Sequence, residues 1–270
     1  MISLIRIEWM KIFGRKSSWI YIIFLVLALL LGAFLNNHFI EDSNTWRYMN
    51  SVVYNLSMLV TLFTVIVGSG NVAAEFSDGT IKQLLIRPHS RVKILLAKYI
   101  VVLSYSLLLL GTLILSGCVF GLMFFGPSGY NTPVFEPNFL GEVKEGIAGE
   151  QFFIKMLYSI PSLLIIVTLS FMLSTLFKSN ALAVGVAVFV LFFSSTLGGV
   201  IMFFSSEYEW LKILIFPHLD LTVYALQDEV MEGITLPISL AILAVYYVIF
   251  VAITFITFKC CKRRRNCITY

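Results

Sequence analysis

The side chains able to do chemistry in this 270-residue chain are few and scattered. Its three histidines, His38, His89 and His218, are far apart in sequence. They fall on expected loops of both membrane sides, so no pair can share a metal or an acid–base role. Of the four cysteines, Cys118 lies in an apolar run. Cys260, Cys261 and Cys267 stand beside Lys262, Arg263, Arg264 and Arg265. Cys260-Cys261 lacks the two-residue gap of a zinc or redox pair, so inert thiols are expected. Gly14-Arg15-Lys16-Ser17 has neither the Gly-Lys-Ser adjacency nor the upstream glycine of a phosphate-binding loop. No catalytic residue, metal site or cofactor-binding residue is therefore expected. What the chain does concentrate is charge, in Glu75 to Lys98, EFSDGTIKQLLIRPHSRVKILLAK. There Lys82, Arg87, Arg91, Lys93 and Lys98 outnumber Glu75 and Asp78. Such a segment makes contacts, with lipid headgroups or with another protein, and breaks no bonds.

The elements around it are membrane spans. Val52 to Ala74 and Tyr99 to Tyr130 carry no charged side chain, and each exceeds the ~20 helical residues that cross a hydrocarbon layer. The segment between them is a loop, and its basic excess predicts a cytoplasmic location. Gly79 should end the incoming helix, with Thr80 capping a second, shorter one. Ile81, Leu84 and Leu85 form one stripe of that short amphipathic helix. Pro88 closes it, since the residue before proline avoids helical angles, and Ser90 can cap the next helix.

The string E-F-x-D-G-T-I-K-x-L-L-x-R-P-x-S-R-x-K-x-L-x-A-K resembles the cytoplasmic loop of ATP-binding-cassette exporter permeases of the ABC type-2 class. The resemblance covers Glu75 through Lys98 closely; elsewhere only span number and spacing agree. It implies a short coupling helix resting on a separate ATPase subunit. Glu75, Phe76, Asp78, Gly79 and Thr80 would open that docking surface. Ile81, Leu84 and Leu85 would pack on it, and Arg87, Pro88 and Arg91 would close it, the arginines pairing with acidic groups or lipid phosphates. The implied partners are two copies of a cassette ATPase, which would hold ATP and Mg, a second permease subunit, alike or paralogous, and membrane lipid. No nucleic acid is expected among them.

The remaining sequence fits an all-α polytopic membrane protein of one domain. Hydrophobic residues make up 59% of the chain and charged ones 13%, where soluble domains carry about a quarter charged. Residues 1–16 form an expected interfacial helix, with Ile2, Ile5, Trp9, Ile12 and Phe13 on one face and Glu8, Lys11 and Arg15 on another. Six spans are predicted at 19–35, 51–74, 99–125, 152–177, 181–204 and 236–258, with 75–98 as the coupling loop. Outer loops are expected at 126–150, irregular and rich in glycine and proline, and at 205–235. Residues 259–270 form a basic cytoplasmic tail. Pro161 is placed to kink the fourth span, and Gly185, Gly198 and Gly199 to let the fifth approach its neighbours. Within 205–235, the apolar run from Trp210 to Phe216, stopped by Pro217 and followed by His218, is too short to cross. A re-entrant or interfacial segment is expected, as in the family it resembles.

Sorting charges by this topology leaves 15 basic residues on the inner side and four on the outer (Arg47, Lys144, Lys155, Lys212), the asymmetry that sets orientation in a cell membrane. No Asp, Glu, Lys, Arg or His falls in the central part of a predicted span, which argues against an ion-coupled carrier. The function expected is a non-catalytic permease subunit of an ATP-driven exporter. It would move an amphipathic substrate, a peptide or a drug, out of the cell. The alternative is a non-transporting immunity or binding protein that captures a peptide through its outer segments.

Overall fold

The computed structural model describes residues 1–40, 43–79, 90–137, 143–177, 179–205, 207–225, 229–231 and 233–260. It is 84% helical, with six helices long and apolar enough to cross a membrane. A short helix α1 (Ile2–Phe13) turns at Gly14 and Arg15 into α2 (Lys16–Phe39). One turn of helix, α3 (Thr45–Tyr48), runs through a π-helical stretch, Met49–Val53, into α4 (Tyr54–Ser77). Then come α5 (Arg91–Phe125), a hairpin of β1 (Pro133–Pro137) and β2 (Val143–Ile147), α6 (Ala148–Leu176) and α7 (Asn180–Phe204). Three 3-10 turns (Glu209–Ile213, Phe216–Leu219, Leu221–Ala225) and a short pair, β3 (Glu229–Met231) with β4 (Ile234–Thr235), lead to α8 (Leu236–Cys260).

The bundle is organised around α4 and α6. They pack on each other more extensively than any other two helices; α2 and α5 lie to one side, α7 and α8 to the other. Composition explains the centre. Along α4, Thr64, Gly68, Ser69, Gly70, Asn71 and Ala73 are buried, and small residues let helix backbones approach where lipid supplies no hydrophobic drive. A Cβ on Gly68 would stand 2.6 Å from Ser170 Oγ of α6. Ser174 Oγ accepts the backbone N–H groups of Val72 (2.9 Å) and Ala73 (3.0 Å), stitching α6 directly to α4. By contrast α2 buries only a narrow stripe that includes Leu25, Leu29 and Ala33, and leaves Ile23, Leu27, Leu31 and Phe34 exposed. That is the face of a span turned to lipid.

Several expectations change. The helices extend beyond the apolar cores that predicted them: the helix of the third span begins at Arg91, ahead of Tyr99, and that of the fourth at Ala148, ahead of Phe152. Residues 126–150 are not wholly irregular, because β1 and β2 pair antiparallel, Phe135 opposite Glu145. Nor is Ile2 part of the packed face of α1. It is exposed, and the buried stripe is Leu4, Glu8 and Ile12, at intervals of four. Ser90 precedes α5 but gives no side-chain cap. A Cβ added at Gly185 or Gly199 would meet nothing within 4 Å, whereas one at Gly198 would meet the backbone of Phe216 at 3.2 Å. The run after α7 forms three separate 3-10 turns, with Pro217 at the start of the second, where its missing N–H costs no helical hydrogen bond.

Candidate functional site

A cluster of charged side chains occupies one end of the bundle, where α1, the end of α4 and the start of α5 meet. Glu75 lies on the last turns of α4. Its side chain turns inward: Oε1 accepts from Lys98 Nζ of α5 at 2.7 Å and from Lys11 Nζ of α1 at 3.0 Å. Glu8 of α1 completes the group, with Oε2 2.8 Å from Lys98 and Oε1 2.7 Å from Lys11. Asn71, one turn before Glu75, offers Oδ1 to Lys98 at 3.2 Å. Two carboxylates and two ammonium groups thus form a neutral network linking three helices whose residues are 90 and 23 positions apart.

Burial makes this arrangement costly to disturb. Lys98 is 1% exposed and Glu8 6%, and a charge in such a place persists only with partners. Burial alone would push the Glu8 carboxyl up, but Lys98 and Lys11 outweigh it and hold it below the ordinary 4.5. Burial would likewise pull Lys11 down, yet Glu8 and Glu75 carry it above 10.5. Asn71 Nδ2, also buried, has no hydrogen-bond partner among the described residues.

Aromatic and backbone contacts fix α1 in this position. Trp9 stacks on Phe13 with centroids 5.0 Å apart, and Phe13 meets the Tyr105 ring of α5 edge-on at 6.1 Å. Ser18 Oγ donates to the Ile12 carbonyl and Trp19 Nε1 to that of Phe13, closing the α1–α2 corner. The network ties α1, α4 and α5 together through salt bridges. Glu75 and Lys98 flank residues 80–89 in sequence, and Glu8 joins Lys98 to α1.

Of the predicted coupling residues, Glu75 is drawn into the network. Phe76 packs partly on the core. Asp78 is exposed at the end of α4, and Gly79 takes a φ of +69°, a conformation open to glycine without strain. Arg91 is the first residue of α5. Thr80, Ile81, Leu84, Leu85, Arg87 and Pro88 lie outside the described residues.

At the opposite end, which carries the hairpin, Trp210 is exposed while Pro217 and His218 are buried; Phe216 packs on a second apolar cluster with Ile215, Leu221 and Tyr224. His218 Nε2 faces the Lys212 carbonyl at 2.9 Å, so it carries the proton, and Nδ1 accepts from Ser239 Oγ at 2.7 Å. Ser239 Oγ is in turn 2.6 Å from the Tyr224 hydroxyl. Burial lowers the His218 pKa below 6.5, with the Lys212 carbonyl opposing.

Fold and charge distribution together define a polytopic helical membrane protein with a charge-locked end. Residues 20–263 match the family described as "Protein of unknown function (DUF2705)", and the chain belongs to it. It is similar to the uncharacterized protein YhcI of Bacillus subtilis strain 168, at 31% identity over 94% of this chain and 97% of that protein. It is also similar to the uncharacterized membrane protein YdbK of the same strain, at 29% identity over 94% of this chain and 98% of that protein.

Sequence reasoning missed Glu8, Lys11, Asn71 and Lys98 as one site. A signal was present. Ile94, Leu95, Lys98, Val101, Val102 and Tyr105 are all buried and follow a single helical stripe, so Lys98 sits where an apolar residue belongs.

Proposed function

We propose that this chain is the membrane-spanning permease subunit of an ATP-binding-cassette exporter. It carries an amphipathic substrate outward on ATP hydrolysed by a separate subunit. The observation that supports this reading is the ionic network at the base of α4 and α5. The segment resembling a coupling loop is bracketed by Glu75 and Lys98, which contact each other at 2.7 Å. A push on that segment by two closing ATPase subunits is therefore delivered to both flanking spans and to α1 together. In this reading the network end is cytoplasmic, the hairpin end faces outward, and two permease subunits enclose the substrate path.

The test is co-purification of the tagged chain in mild detergent with a cassette ATPase encoded beside it. ATP hydrolysis by the assembly is then compared with that of the ATPase alone. Leu84→Asp combined with Arg87→Glu is expected to abolish both assembly and stimulated hydrolysis while the permease itself stays folded. Assembly and stimulation that survive this double change would remove the docking assignment.

A further inference from the structure

The ionic network occupies the inner face of α1, and its outer face carries a different pattern. Arg6 is exposed there, with Ile2 (83% exposed) one turn before it and Met10 (58%) one turn after. The corner that follows is basic as well, since Arg15 and Lys16 are both exposed. Lys93 is exposed near the start of α5. It precedes Lys98 by five residues, about 7.5 Å of helix. None of these four cations meets a carboxylate among the described residues; the ion pairs of this end use Lys11 and Lys98 instead.

Two features decide what such a face meets. The first is charge. Glu8 and Glu75 are turned into the network, which leaves Asp78 as the exposed carboxylate of this end among the described residues. The hairpin end shows the reverse balance. There Glu145, Glu150, Glu207, Glu209, Asp220 and Glu229 are exposed, against Arg47 alone among the described residues. A face of net positive charge suits an anionic surface. The second feature is the apolar company of each cation. Trp19 and Ile20, both exposed, follow Lys16 by one helical turn, and exposed Val92 and Leu96 flank Lys93. Three to four residues of helix span about 5 Å, no more than a headgroup layer of roughly 5–7 Å. Each cation therefore lies at headgroup depth when its apolar neighbour enters hydrocarbon. An acidic protein would pair with the cations and leave the apolar groups wet, whereas a lipid leaflet takes both.

We propose that the outer face of α1, with the α1–α2 corner and Lys93, docks on an anionic lipid leaflet. The phosphates of phosphatidylglycerol pair with Arg6, Arg15, Lys16 and Lys93. Glu8, on the opposite face of α1, is bonded to Lys98, so the leaflet presses α1 onto the network from outside. Lipid charge thereby sets how firmly α1 stays on α4 and α5. This surface serves whether or not an ATPase docks at the same end.

The test uses the full chain in nanodiscs of phosphatidylcholine, with and without an equal part of phosphatidylglycerol. Lipids that stay with the protein on transfer to mild detergent are counted by native mass spectrometry. Hydrogen exchange along α1 is followed in the discs. Phosphatidylglycerol should be retained in preference to phosphatidylcholine, and its presence should slow exchange in α1. One cation near an anionic surface strengthens binding by a factor of about five. Arg6→Gln with Lys16→Gln should therefore reduce the preference by about that factor for each charge removed, and the difference in α1 exchange between the discs should shrink. Both residues are exposed and outside the network, so melting in phosphatidylcholine should match wild type. Ile2→Ser with Met10→Ser keeps every charge and should also weaken phosphatidylglycerol retention, which separates a leaflet from an acidic protein or a free anion. Equal retention of the two lipids, α1 exchange indifferent to phosphatidylglycerol, or a preference unchanged by Arg6→Gln with Lys16→Gln overturns the proposal. Full retention of phosphatidylglycerol by Ile2→Ser with Met10→Ser overturns it as well.

Discussion

At one end of the bundle four full charges meet, from Glu8, Lys11, Glu75 and Lys98. At the other, an imidazole, two hydroxyls and a backbone carbonyl do, in His218, Ser239, Tyr224 and Lys212. Both are buried and both tie a short segment to long helices, yet they hold by different physics. Charge attraction is long-ranged and tolerates small changes of angle, so the ionic end can keep its contacts through small displacements. A chain of neutral hydrogen bonds has direction, and one reversed donor disrupts every link. The contrast makes the ionic end tolerant of small displacements and the hairpin end exacting in geometry.

The largest expected effect of breaking this contrast is at Lys98. Lys98→Met leaves Glu8 and Glu75 sharing Lys11, and stranding a buried charge costs about 3–5 kcal/mol. The expected outcome is a steep fall in folded yield and melting temperature in detergent. Glu8→Gln added to Lys98→Met should recover much of that loss, since removing both partners is often close to neutral. A double change as damaging as the sum of the singles would mean that the charges are not coupled.

Next in size is the packing that both ends depend on. Gly68→Val would drive a branched side chain into Ser170 and Val102, 2.6 and 3.3 Å from its first carbon. Overpacking of this kind costs about 1–3 kcal/mol, read as a lowered melting temperature. Gly185→Ala and Gly199→Ala, with open space around them, should cost nothing measurable by the same assay.

These glycines also show how far the sequence could be read. The six spans were legible because lipid requires long runs without charge, and such runs survive any error in packing. Which glycine a neighbour approaches was not legible, because Gly68 and Gly185 look alike until α6 lies beside α4. The ionic network was hidden for a similar reason. Glu75 and Lys98 sit where apolar runs end and Glu8 on the polar face of an interfacial helix, and each reads alone as a solvated headgroup contact. Only the bundle brings them within 3 Å. The hairpin was obscured by Pro133 and Pro137, which mark turns in most contexts but here close the two ends of β1.

Acidity sharpens the comparison further. A carboxyl held below 4.5, as Glu8 is, contributes stability that is present above 4.5 and lost as pH falls through its lower folded value. Lys11, held above 10.5, contributes stability present below 10.5 and lost as pH rises through its higher folded value. Between those limits the Glu8–Lys11 pair should not respond to pH. His218 lies below 6.5 when folded, so the unfolded chain binds its proton first and stability falls as pH drops below 6.5. Between pH 7 and 5, hydrogen exchange should quicken around Ser239 and Tyr224 while the α1–α5 contact keeps its protection. Equal change at both ends would erase the distinction.

The smallest effect concerns Trp210, which neighbours the His218 knot in sequence but is 63% exposed. Its ring adds little to the packing beneath it, so Trp210→Ala should shift stability in detergent by less than about 0.5 kcal/mol. In a bilayer the outcome should differ, because indole rings favour the interface between headgroups and hydrocarbon. The variant is therefore expected to melt like wild type in detergent and earlier than wild type in lipid nanodiscs. A large loss in detergent would place Trp210 within the protein's own packing. No loss in either medium would mean that the hairpin end is shaped by His218 and its partners without anchorage in the membrane.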